Sequence, residues 1–454
     1  MPTAVATSFV NGSTPALTPA SILERFQVVR DFSRHLCETL QTEDFVIQSM
    51  PDCSPTKWHL AHTTWFFEAF VLEKFNPDYQ PQHPQYSFLF NSYYNAVGER
   101  HTRAERGLLS RPTVAETFQY RAAVDNAIQN LLRENEESAE LRALMILGLN
   151  HEQQHQELLI TDIKNAFAAN PLRPVYRELK RLNVTYDVPL RWLSWHEGIY
   201  EIGFTEGDGD FCFDNETPRH RIFLESFSLA NRLITCGEYL EFMRDGGYQK
   251  PEFWLSAGWA TVEENDWRAP LYWEQKNGDW QMMTLAGMRA VEDNEPVTHL
   301  SYYEAEAYAR WADLTGKIPG ARLPTEAEWE VAATQPRSTQ WLINHGHFAE
   351  GVHGEGLFHP APAQYIDNDR ETELLQMFGE AWQWTRSQYT PYPGYRADAG
   401  ALGEYNGKFM CNQWVLRGGS CATPRSHIRA TYRNFFPPEA RWQFTGLRLA
   451  RDIS

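Results

Sequence analysis

Residues 141–160 read LRALMILGLNHEQQHQELLI, and within them lies His151-Glu152-Gln153-Gln154-His155. The stretch has helical periodicity, with no proline, and Gly148 is its one weak helix former. Two histidines four residues apart on a helix share a face, so both imidazoles can reach one metal ion. Leu144, Leu147 and Leu158 recur on the same stripe, which points the pair toward a core. Two polar residues on a wet helix face would show the same spacing. The run also fits the zinc-protease pattern H-E-x-x-H, in which Glu152 would be the general base. That reading requires a third ligand downstream. The next histidine is His196, and Glu178 lies beyond Pro171 and Pro174.

A third histidine in similar company favours a metal site. Residues 55–75 (PTKWHLAHTTWFFEAFVLEKF) form a second apolar helical stretch carrying His59 and His62. The pair with His62 makes a three-ligand set with open coordination positions, as catalysis requires. Such a set accepts zinc and iron alike, so these residues alone leave the metal open.

The chain has 454 residues, enough for two or three domains, and a formal net charge of −18. That charge argues against binding phosphate backbones or anionic membranes, and no apolar run is long enough to span a bilayer. Residues 1–18 read as a disordered tail, rich in Thr, Ala, Ser and Pro, and not as a signal peptide. Six scattered cysteines without a C-x-x-C pair fit free thiols in a reducing cytoplasm. The 16 Trp, 20 Tyr and 26 Phe suit either a core built from rings or a pocket for a cationic ligand. Composition leaves both open.

The two halves differ in texture. Helices are expected over 20–42, 55–75, 114–134 and 139–168, with starts at Ser21 and Thr113 and a stop at Asn170-Pro171. Four such helices form an antiparallel bundle, whose core commonly holds a metal between facing helices. The long connection 76–112 is of a length that is usually functional. Past Val184, short alternating stretches (199–202 and 220–228) stand between Gly, Asn, Asp and Pro. Helical pattern returns at 236–244, 301–315 and 325–334. This is an irregular α+β domain over 183–454, after a bundle over 19–182, with the seam within 180–191.

The second half carries Phe213-Asp214-Asn215-Glu216-x-Pro218, Glu295-Pro296-Val297-x-His299-Leu300-Ser301 and Ala321-Arg322-Leu323-Pro324-Thr325-Glu326-Ala327-Glu328-Trp329-Glu330. Gly379-Glu380-Ala381-Trp382-Gln383-Trp384-Thr385, Leu416-Arg417-Gly418-Gly419-Ser420 and Gly446-Leu447-Arg448-Leu449-Ala450-Arg451 follow. In these it resembles the formylglycine-generating-enzyme domain, a C-type-lectin-like fold. The first half, with Ser54-Pro55-x-x-Trp58-x-x-x-His62 and His151-x3-His155-Gln156-Glu157, resembles the DinB-type four-helix bundle. Joined in this order, they resemble the EgtB-type sulfoxide synthases of ergothioneine biosynthesis.

The resemblance implies a non-haem iron(II) oxidoreductase. It would use O2 to couple a thiol, cysteine or γ-glutamylcysteine, to C2 of the hercynine imidazole. His62, His151 and His155 match the family's iron ligands. Arg103 and Arg106 match the arginines that hold the thiol's carboxylate, and Gln154 a position near the hercynine imidazole. Tyr93 and Tyr94 are the preferred source of a catalytic hydroxyl, with Tyr389, Tyr392 and Tyr395 as alternatives. Asn434 is placed to bond the hercynine carboxylate, and Phe435 and Phe436 to line its trimethylammonium end. Members using γ-glutamylcysteine are expected to carry an acidic residue near 436; Phe436 points to free cysteine. Cys411 and Cys421 do not match the copper-binding pair of true formylglycine-generating enzymes. A zinc hydrolase or thiol transferase using Glu152, a selenium-inserting relative and a lectin-like binding module are the competing readings. Oligomeric state is not legible.

Overall fold

A computed structural model describes residues 21–135, 137–178, 187–205, 209, 211–335, 337–351, 358–365, 374–397 and 403–453. The tail over 1–18 and the boundary between 182 and 183 lie outside the described residues.

The first half is built on four long helices, α1 (Ile22–His35), α2 (Thr56–Phe67), α3 (Val114–Glu134) and α4 (Ala139–Ala169). Ser21, Thr113 and Ser138 cap three of them by accepting from the amide three residues on, satisfying a donor the helix cannot. Helix α1 ends seven residues short of the expected position 42. Its last amides turn back onto Phe32 and Arg34, and Gln41 and Asp44 cap a separate 3-10 turn, Thr42–Val46. Beyond Phe67, α2 runs on through a π-turn (Glu68–Leu72) to Phe75. Gly148 is where α4 closes on α2: a Cβ there would stand 2.7 Å from the Phe67 ring. The connection 76–112 contains a short helix, Tyr86–Phe90, and a 3-10 stretch, Arg103–Leu108.

The second half is strand-poor and ring-rich. Strands β1 (Trp192–Trp195), β4 (Phe227–Ala230) and β12 (Ala450–Asp452) make one sheet, closing the chain's end onto the domain's start. Strands β2 (Gly198–Ile202) and β3 (His220–Leu224) pair antiparallel. The expected strand over 220–228 is therefore two strands, each in its own sheet. Strands β5 (Trp273–Lys276), β6 (Asp279–Thr284) and β7 (Gly287–Ala290) form a meander. The central sheet runs β10 (Asn434–Phe436), β9 (Trp414–Arg417), β8 (Trp382–Gln388), β11 (Thr445–Gly446). Helices α5 (Cys236–Arg244), α6 (Tyr302–Leu314) and α7 (Glu326–Thr334) fall where the sequence places them. Trp311, Trp329, Trp382 and Trp384 are fully buried, so much of the aromatic content is core.

Two contacts position the site. The α7 carboxylates face inward: Glu326 takes two bonds from Arg433 (2.8 and 2.9 Å), and Glu330 pairs with the fully buried Arg417. Arg433 directly precedes β10, so the α7 motif anchors that edge strand. Across the two halves, Glu157 of α4 accepts from Trp382 Nε1 (2.7 Å), Ser420 Oγ (2.6 Å) and Thr423 Oγ1 (2.7 Å). Around it Leu159, Ile160 and Ile163 share one apolar cluster with Ala422 and Phe444 of the second half. No helix among the described residues is long and apolar enough to cross a membrane. All six cysteines are free.

Candidate metal centre

His62 of α2 and His151 and His155 of α4 bring one ring nitrogen each to within 4.8 Å of one another. His62 Nε2 and His151 Nε2 are 3.1 Å apart. That is the spacing of neighbouring ligands held about 2.1 Å from one ion. Helix α4 supplies two of the three imidazoles because positions 151 and 155 lie one turn apart; α2 packs antiparallel against it and supplies the third. His62 Nδ1 faces the Phe90 carbonyl at 2.5 Å, so it carries the hydrogen and Nε2 is left to bind. Burial pushes the His151 imidazolium pKa down to about 4. His62 and His155 are held well below the ordinary range, first by burial and then by the neighbouring imidazoles. Three neutral imidazoles, two buried and one half-buried, are donors that a divalent transition metal accepts, and the site fits such an ion.

Glu152 does not serve this site. It is buried, 1% exposed, and its carboxylate is held by Arg30 Nη1 (2.8 Å), Ser33 Oγ (2.5 Å) and Arg121. Burial alone would raise its pKa; Arg121 and Arg30 bring it down to about 2. It lies off the cavity and is committed to an ion-pair network, so the zinc-protease role is corrected to a structural one.

The triad opens into a cavity of about 650 Å³ between the halves. The preferred tyrosines and substrate-binding residues line it: Tyr93, Tyr94, Arg103, Arg106 and Gln154 from the bundle, and Asn434, Phe435 and Phe436 from β10. Arg106 is buried. Its guanidinium lies 3.3 Å from the centre of the Trp58 ring and donates to Ser54 Oγ (2.8 Å) and Ser92 Oγ (3.2 Å). No carboxylate pairs with it among the described residues. Burial, then the charge of Arg103, pulls its pKa down to about 9. Arg103 donates to the Tyr93 hydroxyl at 2.6 Å and to the Asp52 carbonyl. Tyr94 packs its ring on Trp65 and Phe70.

On the opposite wall, Gln154 donates to the Tyr432 hydroxyl at 2.8 Å. It is therefore no solvated surface residue. Phe435 stacks on Tyr389 at 4.0 Å and Phe436 meets Trp442 edge-on at 5.8 Å, while Asn434 Oδ1 accepts from the Phe435 amide (2.9 Å). The alternative tyrosines stay behind that wall. Tyr389 bonds Asn215, Tyr392 lies under the Arg433 guanidinium, and Tyr395 bonds Asp214. Tyr432, Trp382, Asn215 and Asp162 also line the cavity and were not singled out. Tyr432 stood next to Arg433-Asn434 in the sequence, and its adjacency was the only signal.

The chain matches the Sulfatase-modifying factor enzyme 1-like domain over residues 193–453 and the DinB superfamily over residues 25–159. The "Hercynine oxygenase" of Mycobacterium tuberculosis is 29% identical over 442 residues, covering 94% of this chain and 99% of that protein. Its namesake in Mycolicibacterium smegmatis is 30% identical over 423 residues, covering 89% and 93%. The "Ergothioneine biosynthesis protein 1" of Schizosaccharomyces pombe is 27% identical over 274 residues, covering 57% of this chain and 29% of that protein. With both domains in the same order and the match running nearly end to end, the chain belongs to the hercynine oxygenase family, the EgtB-type sulfoxide synthases of ergothioneine biosynthesis.

Proposed function

We propose that the protein is an iron(II)- and O2-dependent synthase that joins cysteine to C2 of the hercynine imidazole as a sulfoxide, and that it works in a reducing cytoplasm. In the overall reaction the thiol S–H and imidazole C2–H bonds break and a C–S bond forms. One oxygen atom of O2 ends on sulfur and the other leaves as water, so the two substrates together supply four electrons. Iron(II) held by His62, His151 and His155 would supply open coordination positions for both substrates and the redox chemistry that activates O2.

The observation that carries this reading is Arg106. A buried guanidinium beside the triad, without a carboxylate partner among the described residues, requires an anion, and the carboxylate of an amino-acid thiol supplies it. Anchored there, the thiol is held next to the metal, and a coupling between two molecules becomes one between neighbours. Tyr93 accepts from Arg103, so its own O–H proton is the one it can give toward the cavity. The opposite wall suits hercynine: Gln154 offers an amide to its imidazole, Asn434 to its carboxylate, and Phe435 and Phe436 offer ring faces to its trimethylammonium group. Phe436 has no charge for the amino group of a γ-glutamyl arm, which favours free cysteine.

The test is O2 uptake by iron(II)-reconstituted protein given hercynine with either cysteine or γ-glutamylcysteine, with products weighed by mass spectrometry. Uptake requiring hercynine and faster with cysteine is expected. Iron-loaded protein that consumes no O2 with either thiol would refute the synthase reading. Faster uptake with γ-glutamylcysteine would refute the inference from Phe436.

A further inference from the structure

His59 and Asp162 form a hydrogen-bonded chain that ends on one member of the metal triad. His59 lies on α2, three residues before His62, and is buried. Asp162 lies on α4, two turns beyond His155 on the same stripe, and is buried as well. Asp162 Oδ2 accepts from the Ser54 amide at 2.8 Å and stands 3.0 Å from His59 Nε2. The other ring nitrogen of His59, Nδ1, is 2.9 Å from His155 Nδ1.

The hydrogens along this chain follow from donor and acceptor chemistry. A carboxylate only accepts, so His59 Nε2 carries a hydrogen and a neutral His59 ring has its lone pair on Nδ1. The hydrogen between the two Nδ1 atoms then belongs to His155. That assignment leaves Nε2 of His155 with the lone pair, on the ring nitrogen away from His59. The other two ligands are supported differently. His62 is fixed by a neutral carbonyl, that of Phe90, and His151 Nδ1 is buried without a hydrogen-bond partner. Among the described residues, His155 alone has support that ends in a carboxylate.

We propose that His59 and Asp162 are positioning residues that set the tautomer and orientation of His155 and thereby the affinity of the centre for its metal. The proposal rests on the triad being a metal site, and it explains why a second histidine stands at position 59. A hydrogen-bonded carboxylate behind a ligating imidazole raises its basicity and locks its ring. Here the effect is passed through an intervening imidazole, because Asp162 contacts His59 and not the ligand itself.

The experiment measures metal affinity by chelator competition, with iron(II) and cobalt(II) as probes under anaerobic conditions, in the full chain. His59→Leu is expected to weaken binding by about 10- to 100-fold. His59→Gln is expected to stay within about 3-fold of wild type, because its amide N–H can donate to Asp162 while its oxygen accepts from His155. Equal affinity in His59→Leu and wild type would overturn the proposal, and so would a loss in His59→Gln as deep as in His59→Leu. Wild-type protein that holds neither ion would instead refute the triad as a metal site, a separate outcome. Should His59→Leu fail to fold, nitrogen-15 NMR of the histidine rings in zinc-loaded wild type reads the tautomers directly. A proton on His155 Nδ1 and on His59 Nε2 supports the proposal; a proton on His59 Nδ1 overturns it.

Discussion

The Arg106 guanidinium lies 3.3 Å from the centre of the Trp58 ring, and the same ring stacks on His62 at 4.6 Å with planes 12° apart. One indole thus positions both the buried guanidinium and one histidine of the triad. Arg106→Leu should cost about 2–4 kcal/mol of thiol binding, roughly a 30- to 1000-fold rise in the thiol KM. Hercynine affinity should change by less than about 3-fold, because Gln154 and β10 stand on the other wall. Arg106→Lys should rescue poorly, since an ammonium cannot reproduce the planar fork. Steady-state O2 uptake with each substrate varied in turn checks all three.

Glu152 is predicted to matter for stability and not for chemistry. Its removal leaves Arg121 buried without a carboxylate partner and takes one of two from Arg30, which keeps Asp125. Glu152→Ala should lower unfolding stability by about 3–5 kcal/mol. The protein that remains folded should keep its metal and turn over. Chemical denaturation alongside metal analysis separates this from the hydrolase role, in which activity would fall while stability held.

Gly148→Ala should be destabilising although alanine is the better helix former. The new methyl group meets the Phe67 ring at 2.7 Å and the Phe66 ring at 3.0 Å, and Phe66 packs on His151 with ring centres 4.7 Å apart. A cost of about 1–3 kcal/mol from overpacking should exceed a propensity gain of about 1 kcal/mol. The disturbance should also reach the centre as a changed cobalt(II) visible spectrum.

Lys164 gives a pH signature away from the metal. Its amine is buried where the halves meet, donating to His299 Nε2 at 2.6 Å beside the Tyr272 and Phe444 rings. Burial, partly opposed by Cys421, brings its pKa from 10.5 down to about 7. Between those values the unfolded chain binds a proton that the folded one does not, so wild-type stability rises with pH across that window. Relative to Lys164→Met, wild type should gain up to roughly 1.4 kcal/mol per pH unit from pH 7 toward 10. Parallel denaturation curves for the two proteins, with no pH-dependent gap, would count against it.

The four helices were legible because their apolar stripes repeat over many turns and their caps are local; α3 matches its expected bounds at both ends. The end of α1 was not, because the turn after Leu36 and the cap at Gln41 break a pattern that composition continues. The split between β3 and β4 was hidden for a related reason: alternation persists through Glu225-Ser226 while the chain changes sheets. At the site, the triad and the arginines could be found by motif and family resemblance. Glu152 was ambiguous because its arginine partners come from α1 and α3, which the five-residue pattern does not contain. Tyr432 reaches the site only through a contact between elements, and although His59 and Asp162 lie on the stripes of the triad, neither helix by itself records that they pair.

Glu157 stands two residues past His155 of the triad, yet all three of its hydrogen-bond donors belong to the other half of the chain. Burial raises its pKa, and those three hydroxyl and indole donors oppose the rise. One carboxylate thus keeps the helix of His151 and His155 in register with the second half, beside the apolar cluster around Ile160 and the Gln154–Tyr432 contact. Descendants of such a chain could exchange residues on β10, and with them one wall of the cavity, while inheriting α2 and α4 unchanged, provided that the joint is kept.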